Sequence, residues 1–292
     1  MVAAPMTISD LLGHSARLTI RRIAAPGAFL AVSNDDVREG APTILLPGAE
    51  IPEGAESGQE LDVFIYLDSE GRPIATTRTP KLELGEVAFL SVTACTSFGA
   101  FVDWGLQKEL LVPFAEQTKP LAVGQSHPIG LYVDSSGRLA GTMRVTEMLA
   151  KEATGFELDE WVDGEAWRDA PEIGLFVIVE RTSVGLVPKS EPHTLRRGDS
   201  ARFRVSNLLA DGKMELSLRG HGHEEVAGDA QKVLDVLAAP GAPRAGDRSS
   251  PEEIRRLFGL SKKAFKRAVG NLLKQRKVTI DAAGFVTVRA RS

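Results

Sequence analysis

Apolar positions up to Arg219 fall in short, β-rich runs, and only beyond it do they recur at helical spacing. The clearest set lies at 91–93, 100–104, 110–112, 127–133 and 139–145, separated by turn residues, which predicts five strands. Asp134-Ser135-Ser136-Gly137 and Asp68-Ser69-Glu70-Gly71 are hairpin-type turns in which glycine takes positive φ, and the stretch from Leu208 to Lys213 does the same. About five short strands in about 65 to 75 residues, without a long helix, suit a small closed barrel of the OB type. Closure removes the exposed edges that isolated strands would leave.

Three landmarks repeat along the chain. A glycine before an apolar, aromatic run appears as Gly27-Ala28-Phe29-Leu30, Gly99-Ala100-Phe101-Val102 and Gly174-Leu175-Phe176-Val177. An apolar pair precedes proline at Pro47, Pro113 and Pro188, and a turn glycine precedes arginine by seven residues at Gly71 and Arg78, Gly137 and Arg144, and Gly212 and Arg219. The proline and arginine landmarks both recur after 66 and then 75 residues. A fixed period of this size marks tandem copies of one unit.

After Arg219 the pattern becomes helical. The segment from His221 to Gly228 reads as a polar linker, and Asp229 as the cap of a helix with Val233, Val236 and Leu237 on its apolar stripe, stopped by Pro240-Gly241-Ala242-Pro243. Ser250, Pro251 and Glu253 form a capping-box start for a second helix that buries Ile254, Leu257 and Phe258 and ends at Gly259. Ser261 caps a third, with Phe265, Val269, Leu272 and Leu273 buried, and 278–280 with 285–288 make a hairpin around Asp281 to Gly284. The chain is therefore expected to be mainly β with a small α/β C-terminal domain. Three tandem OB-fold, S1-like barrels at 1–80, 81–148 and 149–222 precede a winged helix at 223–292.

Charge changes the picture at the C-terminal end. The net charge is −4, yet from Glu225 onward 14 Lys and Arg stand against 7 Asp and Glu, a local +7 that leaves −11 elsewhere. Such asymmetry points to an interaction surface. Lys262, Lys263, Lys266 and Arg267 form i,i+4 pairs on the third helix, and Lys274, Arg276 and Lys277 lead towards the hairpin. On a recognition helix they would meet phosphates; a solvated face is the plainer reading.

Other chemistry is sparse. Cys95 is the single cysteine, so no internal disulfide or thiolate zinc site forms, and a buried place on a strand is expected for it. His221 and His223 flank a glycine with no third metal ligand in view, and the five histidines share no catalytic spacing with carboxylates or a nucleophile. No P-loop occurs. Asp159-Glu160 and Glu224-Glu225 read as surface charge, and Trp161 and Trp167 as packing residues. No secretory leader and no membrane-length apolar run is visible, so a cytoplasmic protein is expected, with no catalytic site, cofactor, metal or small-molecule substrate.

The sharpest segment is Thr96-Ser97-Phe98-Gly99-Ala100-Phe101-Val102-Asp103-Trp104. Strict alternation puts Phe98 and Phe101 on opposite faces. A bulge at Gly99 would bring both to the outer face as a stacking platform, and burial of both in the core is the alternative. With Gly85-Glu86-Val87 before it and Leu111-Val112-Pro113 after it, the segment resembles the S1 motif of RNA-binding OB folds. The wider layout, with Ser249 to Ile254 and Phe258 to Lys266, resembles the bacterial conserved virulence factor B family, in which S1-type barrels precede a winged helix. That resemblance covers most of the chain, most clearly the second barrel and the winged helix. It implies that Phe98 and Phe101 stack on bases and that Arg144, taken to lie on the last strand, contacts the backbone. Pro113 stands where the motif has a histidine, and proline neither stacks nor donates a proton. The first copy keeps Phe29 with Pro26 in place of the first aromatic, and the third has Ile173 and Phe176.

The leading expectation is a single-stranded RNA binder that regulates expression. The alternatives are a winged-helix regulator of double-stranded DNA and a protein–protein adaptor on a ribosomal or RNA-processing complex.

Overall fold

A computed structural model describes residues 7–33, 40–150, 152, 154–219, 222–239, 242–247, 249–281 and 284–289. Two compact units divide the chain, Met1–Leu216 and Ser217–Ser292.

The first unit holds three five-stranded barrels. β1 (Ser15–Ala24), β2 (Gly27–Ala31), β3 (Thr43–Pro47), β4 (Glu60–Leu67) and β5 (Pro73–Thr76) close in the order β1-β2-β3-β5-β4. β6 (Val87–Cys95), β7 (Gly99–Asp103), β8 (Leu110–Pro113), β9 (Ser126–Val133) and β10 (Leu139–Thr142) run β10-β9-β6-β7-β8, followed by a short helix α2 (Val145–Met148) as α1 (Ile8–Leu11) precedes the first barrel. β11 (Trp161–Ala170), β12 (Gly174–Val179), β13 (Ser183–Pro188), β14 (Ser200–Leu208) and β15 (Met214–Ser217) close like the first barrel. Parallel pairing of Leu45 with Ile74 closes the first, and of Gly185 with Met214 and Leu186 with Glu215 the third. β8 and β10 form no such ladder, although they lie about as near each other as β3 and β5 do, so the middle barrel is nearly closed.

The landmarks have physical causes. Gly27, Gly99 and Gly174 pair in register with Pro47, Pro113 and Pro188. A Cβ on each glycine would strike the carbonyl of the residue before that proline, namely Leu46, Val112 or Val187. Only glycine permits such an approach. After Pro47 and Pro113 the chain makes 3-10 turns, Gly48–Glu50 and Phe114–Glu116. Glu50 accepts the Thr76 hydroxyl and Glu116 the Thr142 hydroxyl, while Arg78 and Arg144 reach these carboxylates at 4.0 and 3.8 Å. In the first two copies this clasp ties the turn after proline to the arginine and accounts for their common 66-residue period. Asp68 and Asp134 order the hairpin turns by accepting the backbone N–H groups of Arg72 and Arg138, at 2.9 and 3.0 Å.

Several expectations change. The chain bulges on β6 between Val92 and Ala94 rather than at Gly99, and the first strands of the outer barrels bulge at the same place, Ile20/Arg22 and Ala166/Arg168. The slip turns Cys95 outward: it is exposed, and its thiol reaches the Leu121 carbonyl. Trp161 is 37% exposed, with the Arg202 guanidinium over its ring at 5.9 Å, whereas Trp167 lies against the buried cluster of Val87, Val145, Leu149 and Ile178. Arg144 lies beyond β10, at the start of α2.

In the second unit, α3 (Gly222–Ala238), α4 (Pro251–Phe258) and α5 (Lys262–Lys274) precede a hairpin of β16 (Val278–Ile280) and β17 (Val286–Val288). α3 begins seven residues before Asp229, so 222–228 is helix rather than linker; His221, Pro240, Gly241, Ala282 and Ala283 lie outside the described residues. Ser250 accepts the Glu253 N–H and Ser261 that of Ala264, at 3.1 and 3.2 Å. Gly259 takes φ 67° to end α4. Ile254, Phe258, Phe265, Ala268, Val269 and Leu272 form the core with Val233 and Leu237; Leu273 is exposed instead. Gly246 bridges to Phe285, adding a third edge to the wing.

Candidate nucleic-acid interface

β7 carries the central residues. Ala100 and Val102 point into the middle barrel and are buried, so alternation turns Phe101 outward. Phe98 precedes the strand in a bend held by the Thr96 hydroxyl, which donates to the Gly99 carbonyl at 3.0 Å. From that bend Phe98 is 56% exposed and meets Phe101 edge to face, with centroids 6.0 Å apart and planes at 90°. The two rings therefore make a corner rather than one flat plate. A planar group lying on one ring would set its edge against the other.

Phe114 has no place among the residues expected from the sequence. It is 57% exposed, and its N–H donates to the Phe98 carbonyl at 3.4 Å, so the turn after Pro113 brings a third aromatic beside the first. The chain does carry a signal for it, since only the middle copy follows its landmark proline with an aromatic residue.

Phe101 also lines a cavity of about 310 Å³ at the seam between β8 and β10, with Trp104, Lys108, Leu111, Pro113 and Arg138 around it. Lys108 donates to the carbonyls of Leu67 and Asp68 at 2.9 and 2.8 Å, anchoring the turn of the first barrel there, and burial pushes its pKa down. Arg144 is half-exposed but occupied: it pairs with Glu116 and donates to the Ala115 carbonyl at 3.1 Å.

The basic residues of the second unit gather on and after α5. Phe265, Ala268, Val269 and Leu272 are buried, and Lys263, Lys266, Arg267 and Lys274 are exposed, with Lys262 half-buried. Lys266 pairs with Asp247 at 2.6 Å and holds that carboxyl below its usual range. Among the described residues, Lys262, Lys263, Arg267, Lys274, Arg276 and Lys277 form no ion pair. Arg276 takes φ 57° beyond α5, its N–H donating to Leu273 and that of Lys277 to Leu272. This left-handed turn directs the chain from helix to wing.

Among the described residues no three metal-ligating side chains gather, and no helix is long and apolar enough to cross a membrane.

The description "S1 domain" matches 12–78 and 84–144, and "CvfB-like winged helix domain" matches 231–285. The chain is 30% identical over 271 residues to the "uncharacterized protein YitL" of Bacillus subtilis (strain 168), covering 87% of this chain and 90% of the relative. It is 30% identical over 237 residues to "conserved virulence factor B" of Staphylococcus epidermidis (strain ATCC 12228), covering 77% and 79%. A crystal structure described as a multidomain protein with nucleic acid binding domains from Streptococcus pneumoniae TIGR4 aligns at 25% identity and TM-score 0.39, over 95% of this chain and 98% of that one. S1 barrels joined to this type of winged helix, together with the extent of the matches to the two curated relatives, place the chain in the conserved virulence factor B family.

Proposed function

We propose that this protein binds single-stranded RNA in the cytoplasm, without catalysing a reaction on it, and thereby regulates gene expression. The observation that carries the reading is the exposed corner of Phe98 and Phe101, with Phe114 beside it, on an S1-type barrel. Unpaired bases have faces free to stack on such rings, at about 1 to 3 kcal/mol per base with little sequence demand. Bases in a duplex are already stacked. The basic residues of α5 supply phosphate contact, which is salt-dependent and blind to sequence.

Duplex DNA is the second reading, favoured by the placement of Lys263, Arg267 and Lys274 on the exposed side of the third helix of a winged helix. A titration of single-stranded RNA, single-stranded DNA and duplex DNA at two salt concentrations separates them. Preference for the single-stranded RNA, lost in Phe98→Ala/Phe101→Ala, supports the proposal. Tighter binding to duplex DNA, indifferent to those substitutions, would replace it with the second reading.

A further inference from the structure

The three barrels share a backbone, which makes their differences informative. In each, the first strand bulges at the same place and sets one residue opposite the outward aromatic of the second strand: Arg22 opposite Phe29, Ala94 opposite Phe101 and Arg168 opposite Phe176. In the outer barrels that residue lies on the ring. The Arg22 guanidinium carbon stands 3.8 Å from the Phe29 centroid, and that of Arg168 4.7 Å from Phe176. The middle barrel has a methyl group there instead. Its aromatic meets Phe98, where the outer copies have Pro26 and Ile173.

We infer that Arg22 and Arg168 cap the aromatic faces of the outer barrels against unpaired bases, and that alanine at position 94 leaves the middle barrel open to them. The inference rests on the reading of Phe101 as a base-stacking residue. A guanidinium is planar and suits the face of an aromatic ring, so at these distances it occupies the space a base would take. A base must displace it, or stack on it and give up the ring itself. Among the described residues no guanidinium stands over Phe101 in this way. A cavity of about 280 Å³ also lies beside Phe176 in the closed third barrel, and Arg168 lines it.

The test uses the intact chain and a fluorescent single-stranded oligoribonucleotide, read by anisotropy, with circular dichroism to confirm folding. Ala94→Arg adds a positive charge, which by electrostatics alone would tighten RNA binding. The cap reverses that sign, so affinity should fall about fivefold, the scale of one cation–π interaction opposing stacking. Ala94→Gln, of similar reach but without a planar cation, should fall less. Arg22→Lys and Arg168→Lys keep the charge but uncover the rings, so affinity should rise about two- to fivefold. Weaker binding in the two lysine variants would show that the arginines grip RNA and would overturn the inference, as would an unchanged Ala94→Arg. Should those outcomes occur while Phe98→Ala/Phe101→Ala still abolishes binding, the stacking site stands and only the cap fails. Should the unaltered chain not bind the oligoribonucleotide, the stacking site itself falls and the cap with it.

Discussion

The rings of Phe98 and Phe101 stand at right angles on the outer face of the middle barrel, close enough to touch edge to face. The contact orders both side chains before any ligand arrives, so little rotamer freedom remains to be lost on binding.

Each of Phe98→Ala and Phe101→Ala is therefore expected to weaken single-stranded RNA binding by about 1 to 3 kcal/mol, without loss of fold. Because the rings touch, the double substitution should cost less than the sum of the two. Phe114→Ala should act in the same direction. Isothermal titration with a short oligoribonucleotide checks all three, and unchanged affinity in each would remove the aromatic corner from the interface.

Charge at α5 should appear in the salt dependence instead. Neutralising Lys263, Arg267 or Lys274 is expected to lower the slope of log affinity against log salt by about 0.7 for each phosphate of a single strand that is no longer neutralised. Lys266→Ala should change it less, since the Lys266 ammonium is already held by Asp247. A larger effect at Lys266 than at Arg267 would contradict the assignment.

Two glycines should respond oppositely to the same substitution. Gly99→Ala drives a methyl group into the Val112 carbonyl and should destabilise the first unit by about 3 kcal/mol. Gly270, inside α5, has open space where its Cβ would lie, so Gly270→Ala should stabilise the second unit by about 0.5 to 1 kcal/mol. Urea unfolding with hydrogen exchange to resolve the two units measures both.

Glu165 makes stability depend on pH. Burial raises its pKa, although the Phe89 N–H donates to its carboxylate at 3.0 Å and Arg181 opposes the shift. A carboxyl with a raised folded pKa favours the fold fully below its unfolded pKa and loses that contribution as pH rises through the folded value. Glu165→Gln keeps an acceptor for Phe89 and removes the charge. It is expected to raise the urea midpoint at neutral pH and to converge with the unaltered protein in acid. A lower midpoint at neutral pH would mean that the attraction to Arg181 outweighs burial.

Much of this fold was legible because its constraints are local. Glycine facing proline, an aspartate at the head of a turn, and serine caps on α4 and α5 each announce a backbone geometry through side-chain chemistry. The bulge between Val92 and Ala94 carries no such mark: it is a slip between two strands, invisible along either one, and it decides where Cys95 points. The start of α3 is hidden for another reason. His221-Gly222-His223 has the composition of a linker, and glycine is a poor helix former, yet α3 begins at Gly222. At the site, the residue types were readable but not their competition for partners: Arg144 and Lys266 are both engaged by nearby carboxylates.

The bond from Phe89 to Glu165 has company. Arg181 accepts the Val87 N–H at 2.8 Å through its carbonyl, Thr182 accepts that of Ala150 at 2.8 Å, and Phe89 lies under the Arg197 guanidinium at 5.2 Å. The second and third barrels are thus sutured through their backbones, not merely tethered. A strand long enough to touch both would find their separation already measured out, and its length would be read as on a ruler.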